Sequence, residues 1–242
     1  MKFLAVLLSA ALALPLAAAA QGPNKSYVGL NAGASFALGD FGKADYYNNS
    51  AGFAKTGFHG ALDGAYFFGG GIVGLAGQVA FTDNGRLKAD DLAKIGAGFT
   101  DGFGVDESTL RSDNRYRRLT AMVGPTFLLP LGSDKLKLEV RGLVGLVHSI
   151  STPTYTVQLE DNDQTLLKQT SSTSTVFGYQ AGLGLHYALT DHLGVVLRAD
   201  YLGTGDLSID NANRTNNAGR LQTKVAPTAL NTSLGLAFAF GK

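Results

Sequence analysis

The chain has 242 residues, 20 Lys and Arg against 19 Asp and Glu, and neither Cys nor Trp. Without Cys there is no lipoprotein anchor, no disulfide and no thiolate metal site. The near-neutral balance argues against a nucleic-acid partner, because such binders carry a basic excess or stripe.

Residues 1–20 read as an export signal. Lys2 supplies the positive start, residues 3–14 form an apolar run, Pro15 interrupts it, and Ala17 to Ala20 give a small-residue cleavage pattern, most simply between Ala20 and Gln21. The run is shorter than the roughly 20 residues a transmembrane helix needs. Cleavage would remove Lys2 and leave a mature domain, residues 21–242, of zero formal charge. No later apolar stretch approaches a helical span, so a mature chain that crosses a membrane must cross it as strands.

Period-two alternation then recurs eight times. Residues 27–38 set Val28, Leu30 and Phe36 against Tyr27, Asn31 and Ser35. Residues 56–68 set Phe58, Leu62 and Tyr66 against His59 and Asp63, and residues 72–82 set Val73, Leu75, Val79 and Phe81 against Gln78 and Thr82. Residues 115–129 oppose Leu119, Val123 and Phe127 to Tyr116, Arg118 and Thr126. The clearest run, 136–150, has Leu136, Leu138, Val140 and Val144 on one face and Lys137, Glu139 and Arg141 on the other. Residues 176–189 oppose Phe177, Tyr179 and Leu183 to Gln180 and His186, residues 193–202 oppose Leu197 and Tyr201 to Arg198 and Asp200, and residues 228–240 oppose Leu234, Leu236, Phe238 and Phe240 to Asn231, Ser233 and Gly235.

These runs are long. Strands of globular proteins average about 5–6 residues, whereas a membrane-crossing strand needs about 9–11. The links alternate: short at 69–71, 130–135 and 190–192, long and polar at 39–55, 83–114, 151–175 and 203–225. That asymmetry fits an up-and-down barrel with short periplasmic turns and long extracellular loops. The prediction is an all-β protein, an eight-stranded antiparallel up-and-down transmembrane β-barrel. The longest link, 83–114, reads as disordered solvating surface.

Alternation alone does not distinguish a membrane barrel from a soluble one, but aromatic placement does. On the apolar face, Phe36, Phe58, Phe81, Phe177, Tyr179 and Tyr201 fall near the long-loop ends, and Tyr66, Phe68, Phe127, Tyr187, Phe238 and Phe240 near the short turns. Two aromatic girdles around an aliphatic belt suit the two membrane interfaces. The other face then points inward, and Asp63, Arg118, Lys137, Glu139, Arg141, Arg198 and Asp200 are predicted to form a charge network in the lumen, with Gln78, Gln180, His59 and His186 beside them. The result is a polar, plugged interior with at best a narrow water path.

The final run ends in a polar residue, a Gly two positions on and two alternating aromatics: Ser233, Gly235, Phe238 and Phe240. With the export signal and eight runs, the chain resembles small outer-membrane barrels of the OmpA and OmpX type, and more closely the "outer membrane protein beta-barrel domain" group common in Bacteroidetes. Residues 39–42 (Gly-Asp-Phe-Gly) and 51–58 are similar to that group too. The resemblance implies a bacterial outer-membrane location, a monomer, contact with lipid and lipopolysaccharide, and recognition of the terminal strand by the barrel-assembly machinery. It departs in the two residues after Phe240 and in having no peptidoglycan-binding domain after the barrel, so a cell-wall tether is not implied.

No catalytic constellation, cofactor site or metal site is predicted. Gly69, Gly71 and Gly74 match G-x-G-x-x-G, but a strand follows where a dinucleotide site needs a helix, so they read as turn glycines. His148 and Ser149 are neighbours in a strand and point to opposite faces. His59 and Asp63 share a face but lie four residues apart, roughly 13 Å along a strand. Arg115 and Arg117, beside Arg118 at a long-loop end, are candidates for lipopolysaccharide phosphates, since Arg pairs bidentately with phosphate. The functional expectation is a non-enzymatic surface barrel acting structurally or through a loop-borne ligand site; the alternatives are a narrow porin-like pore and, last, a lipid-modifying enzyme.

Overall fold

The computed structural model describes residues 24–45, 50–103, 108–159, 165–209, 211–212 and 224–241. The export signal predicted for residues 1–20 lies outside them.

The first three wall strands are β1 (Ser26–Ala37), β2 (Gly57–Phe67) and β3 (Val73–Asp83). After a short strand β4 (Ser108–Asp113), the wall resumes with β5 (Arg117–Ser133) and β6 (Leu136–Ser151). A hairpin of β7 (Thr154–Leu159) and β8 (Thr165–Gln169) precedes wall strands β9 (Ser174–Ala188) and β10 (Leu193–Thr204). Three two-residue strands follow, β11 (Leu207–Ser208), β12 (Asn211–Ala212) and β13 (Lys224–Val225), and then β14 (Ala229–Phe240). Sequential wall strands pair antiparallel, and β14 pairs with β1 to close an eight-stranded barrel. All eight alternating runs are wall strands.

One row of paired residues can be followed round this wall. It starts at Ser174 on β9 and passes Ser149, Arg118, Thr82, His59, Gly33, Ser233 and Arg198. It returns to β9 at Gly184, ten residues from its start. This stagger goes with strands tilted about 35–45° to the axis.

The two faces are inverted relative to a water-soluble barrel. Leu30 is 69 % exposed, while Arg118 and Glu139 are 0 % exposed. Val140 and Val144 on β6 face outward and Glu139 and Arg141 inward. Phe36, Phe58, Phe177, Tyr179 and Tyr201 at one end, and Tyr66, Phe68, Phe127, Tyr187, Phe238 and Phe240 at the other, all stand exposed on the outer wall. Charged residues are almost never fully buried unless paired; an apolar exterior around them is stable only when hydrocarbon replaces water outside.

The loops depart from the sequence reading in two places. Segment 83–114 is not solvating coil: it holds a helix, Ala89–Phe103, and strand β4. β4 joins β7, β8 and β12 in a four-stranded sheet, and Ile95, Tyr155 and Val157 form a small core with Phe53, Leu87 and Leu110 against it. The apolar residues that bury this helix are spread over several loops, so no single polar segment reveals them. The second departure is the link at 130–135. β5 runs on through Pro130 to Ser133, and a register shift between Pro130 and Ser133 with Gly132 at φ +68° absorbs the residue that cannot donate to the ladder.

Candidate functional site

The lumen is built from the inward residues of tilted strands, so side chains far apart in sequence meet at one level. Arg141 on β6 reaches across to both acidic partners. Its Nη1 lies 3.0 Å from Asp63 Oδ2 on β2, and its Nε and Nη2 donate to Asp200 Oδ1 and Oδ2 on β10 at 3.0 and 2.7 Å. The Asp200 contact is the bidentate fork that guanidinium and carboxylate geometry favours. Gly182 on β9 makes room for it: a Cβ there would fall 1.9 Å from Asp200 Oδ1.

A second, linked cluster surrounds Glu139. Arg198 on β10 pairs with Glu139 Oε2 and also with Asp63 Oδ2, the latter at 2.9 Å. Tyr27 and Thr126 donate to Glu139 Oε1 at 2.8 and 2.9 Å, and His186 Nε2 lies 2.8 Å from Oε2. Arg198 also donates to the Tyr27 hydroxyl at 2.8 Å, and Asn31 donates to Asp63 Oδ1 at 2.6 Å. The network thus draws on β1, β2, β5, β6, β9 and β10, and Asp63, Glu139, Arg141, Arg198 and Asp200 are each at most 4 % exposed. Buried ions cost several kcal/mol each to desolvate, and only close, fully hydrogen-bonded pairing offsets that.

Two residues predicted for this network stand apart from it. Lys137 lies nearer the short-turn end, only partly buried, and donates to the Asn24 side chain at 2.7 Å. Arg118 is buried nearer the long-loop end, with its guanidinium over the Phe41 ring at 5.1 Å. The tilt explains both, since residues on the same inward face differ in height according to their place along the strand. Tyr27, Asn31 and Thr126 are members to which the sequence reading gave no role. The available signal was polar capacity on inward positions, above all a Tyr on the polar face of its run.

Below the network, toward the short turns, a cavity of about 580 Å³ reaches His186 and Tyr27 and is rimmed by Lys25, Lys135 and Lys137. Above it, Phe41, Ala54, Tyr116, Leu207, Ile209 and Val225 form an apolar lid; Phe41 and Tyr116 meet edge to face with centroids 4.9 Å apart.

Arg115 and Arg117 both pair with Asp83, at 2.8 and 3.2 Å, at the long-loop rim. On the terminal strand Ser233 and Gly235 face inward, and Phe238 and Phe240 outward; a Cβ on Gly235 would lie 2.1 Å from Asn31 Oδ1. His148 is exposed and contacts Thr175 Oγ1 at 2.9 Å, whereas Ser149 is buried on the other face. Gly69 and Gly70 have φ of +60° and +71° in the turn before β3. No group of three or more metal-binding side chains occurs among the described residues.

Several solved structures are similar to this chain. The attachment invasion locus protein Ail of Yersinia pestis is 14 % identical over 90 % of this chain and all of its own, with a TM-score of 0.45. Neisserial surface protein A is 14 % identical over 91 % of this chain and all of its own, with a TM-score of 0.47. A major outer membrane protein from Thermus thermophilus is 14 % identical over 89 % of this chain and 98 % of its own, also with a TM-score of 0.47. Among curated proteins no sequence match is found. The family model described as outer membrane protein beta-barrel domain matches residues 4–238. With a closed eight-stranded barrel, an apolar exterior and charges sealed inside, the chain belongs to that family of bacterial outer-membrane β-barrel proteins.

Proposed function

We propose that this is a non-enzymatic outer-membrane barrel that works as a structural element and as a surface-binding scaffold, not as a pore. The observation carrying the proposal is the Arg141–Asp63–Arg198–Glu139 network, which crosses the lumen from β2 to β6 and β10 and leaves solutes a barrier of paired charges. On the long-loop side, taken as extracellular, the helix Ala89–Phe103 and the sheet of β4, β7, β8 and β12 make a folded platform. Loops held on a rigid scaffold are where binding function concentrates. Against enzymatic chemistry, His148 and Ser149 occupy opposite faces.

Conductance in planar bilayers tests this reading against the narrow-pore alternative. The expected trace is closed; stable unitary steps that change in a Glu139→Gln variant would establish a pore instead. The proposal includes export with cleavage after Ala20 and insertion through the terminal Ser233, Gly235, Phe238 and Phe240 segment.

Arg115 and Arg117 are proposed to engage lipopolysaccharide phosphates. Their support is position: Arg117 sits at the outward rim of β5, sharing Asp83 with Arg115, so two guanidinium groups face one carboxylate and retain cationic character. Arg117→Gln should reduce the lipopolysaccharide that co-purifies with the protein. Unchanged lipid content counts against the contact.

A further inference from the structure

Arg118 heads the fully buried side chains by size, at 0 % exposure. Arg141 and Arg198 each hold two carboxylates, yet Arg118 is within ion-pair distance of none among the described residues. Its Nε, Nη1 and Nη2 have no hydrogen-bond partner there either. What it touches is the Phe41 ring.

That contact does not compensate the burial. A guanidinium over an aromatic face recovers only a small part of what removing an ion from water costs, even after the surroundings relax. Arg does not escape by losing its proton. Its neighbours across the ladder, Thr82 and Ser149, are neutral. Among the described residues nothing supplies the missing negative charge.

A second unused group points the same way. His59 lies in the same row, one strand beyond Thr82, is 2 % exposed, and has its Nδ1 3.1 Å from Thr82 Oγ1. Its Nε2 has no partner among the described residues. If the Thr82 hydroxyl donates to Nδ1, Nε2 carries the proton, and His59 offers a neutral donor on the same inward ladder row as the Arg118 charge.

We propose that Arg118, assisted by His59, holds a compact monovalent inorganic anion such as chloride in the upper lumen. The location sets the class. The lid with Phe41 and Tyr116 covers the site, which excludes bulky organic anions. The network toward the short turns sets three carboxylates, Asp63, Glu139 and Asp200, against two guanidinium groups, and its net negative charge repels a divalent phosphate or sulfate more strongly than a single charge. An ion sealed there is a structural component, entering as the barrel closes and exchanging slowly.

Two measurements on the full barrel in detergent test this. Crystals grown with bromide in place of chloride should give an anomalous peak at hydrogen-bond distance from the Arg118 guanidinium. Thermal unfolding at fixed ionic strength should occur at higher temperature in chloride than in gluconate, and Arg118→Gln should abolish that difference. Water alone at the guanidinium, bromide only at exposed lysines, equal melting in both salts, or a chloride effect that survives Arg118→Gln each overturns the site. Should Arg118→Gln fail to fold, the bromide map of the unaltered protein decides alone.

Discussion

At the scale of single residues, the lumen is governed by the cost of an ion without its counter-ion. Arg141 serves two carboxylates that no other group could satisfy together: Asp63 also holds Arg198, but Asp200 pairs with Arg141 alone among the described residues. Arg141→Met should therefore lower stability by about 3–5 kcal/mol, the range for breaking a buried pair from one side. Urea unfolding of the lipid-reconstituted barrel measures it. Adding Asp200→Asn to that variant should recover part of the loss, because the stranded charge is gone. Unchanged stability in the single variant would mean that the network is hydrated rather than sealed. Which residues face inward was legible from alternation, since period two sends Glu139 and Arg141 to the side opposite Val140. That Arg118 and Lys137 would stand apart from the others was not legible, because their heights depend on the stagger between strands.

At the scale of elements, wall and loops obey different rules. A wall strand is repetitive: apolar outward, small or polar inward, over more than ten residues. One strand carries the signal by itself, and all eight were readable with ends shifted by a few positions. The loop elements are not self-sufficient. The helix Ala89–Phe103 begins with Asp90 and Asp91, acidic residues that suit the positive end of its dipole. It is tied back to the first loop by an ion pair between Asp91 and Lys55. Partial desolvation pushes the Asp91 carboxyl up, but the Lys55 ammonium and the Lys88 backbone N–H outweigh it and hold the group below its ordinary range. A carboxyl lowered in the folded state contributes stability above its unfolded pKa, near 4, and loses that contribution as pH falls through the folded value. Amide exchange in the helix should thus accelerate as pH drops below about 4, relative to the intrinsic rate, and Asp91→Asn should show fast exchange already at neutral pH. An exchange rate indifferent to both changes would show that the apolar contacts of Ile95 hold the helix unaided.

At the scale of the whole molecule, closure converts eight marginal ladders into one object without free edges. β14 meets β1 along its full length, from Phe240 opposite Ser26 to Ala229 opposite Ala37, so the backbone groups of both are satisfied inside hydrocarbon, as any spanning structure requires. The ten-residue offset accumulated round the wall then sets the tilt, and the tilt decides which inward side chains share a level. Arg118 and Arg198 lie on a single ladder row, yet one ends beneath the apolar lid and the other within the acidic cluster.

The amino-acid pattern by itself determined that strands would cross, how many there would be, which face would meet lipid and which ends would carry long loops. These follow from local periodicity, strand length and link length, each read within a single run or a single link, and the strand count follows from their repetition along the chain. Only the tertiary structure decided which charges would pair, that the polar loops would assemble a helix and a sheet, and that one buried arginine would lack a protein partner among the described residues. Those outcomes depend on stagger and on contacts between distant segments, where a few ångströms separate a satisfied ion from an unsatisfied one, and no short window of sequence contains that distance.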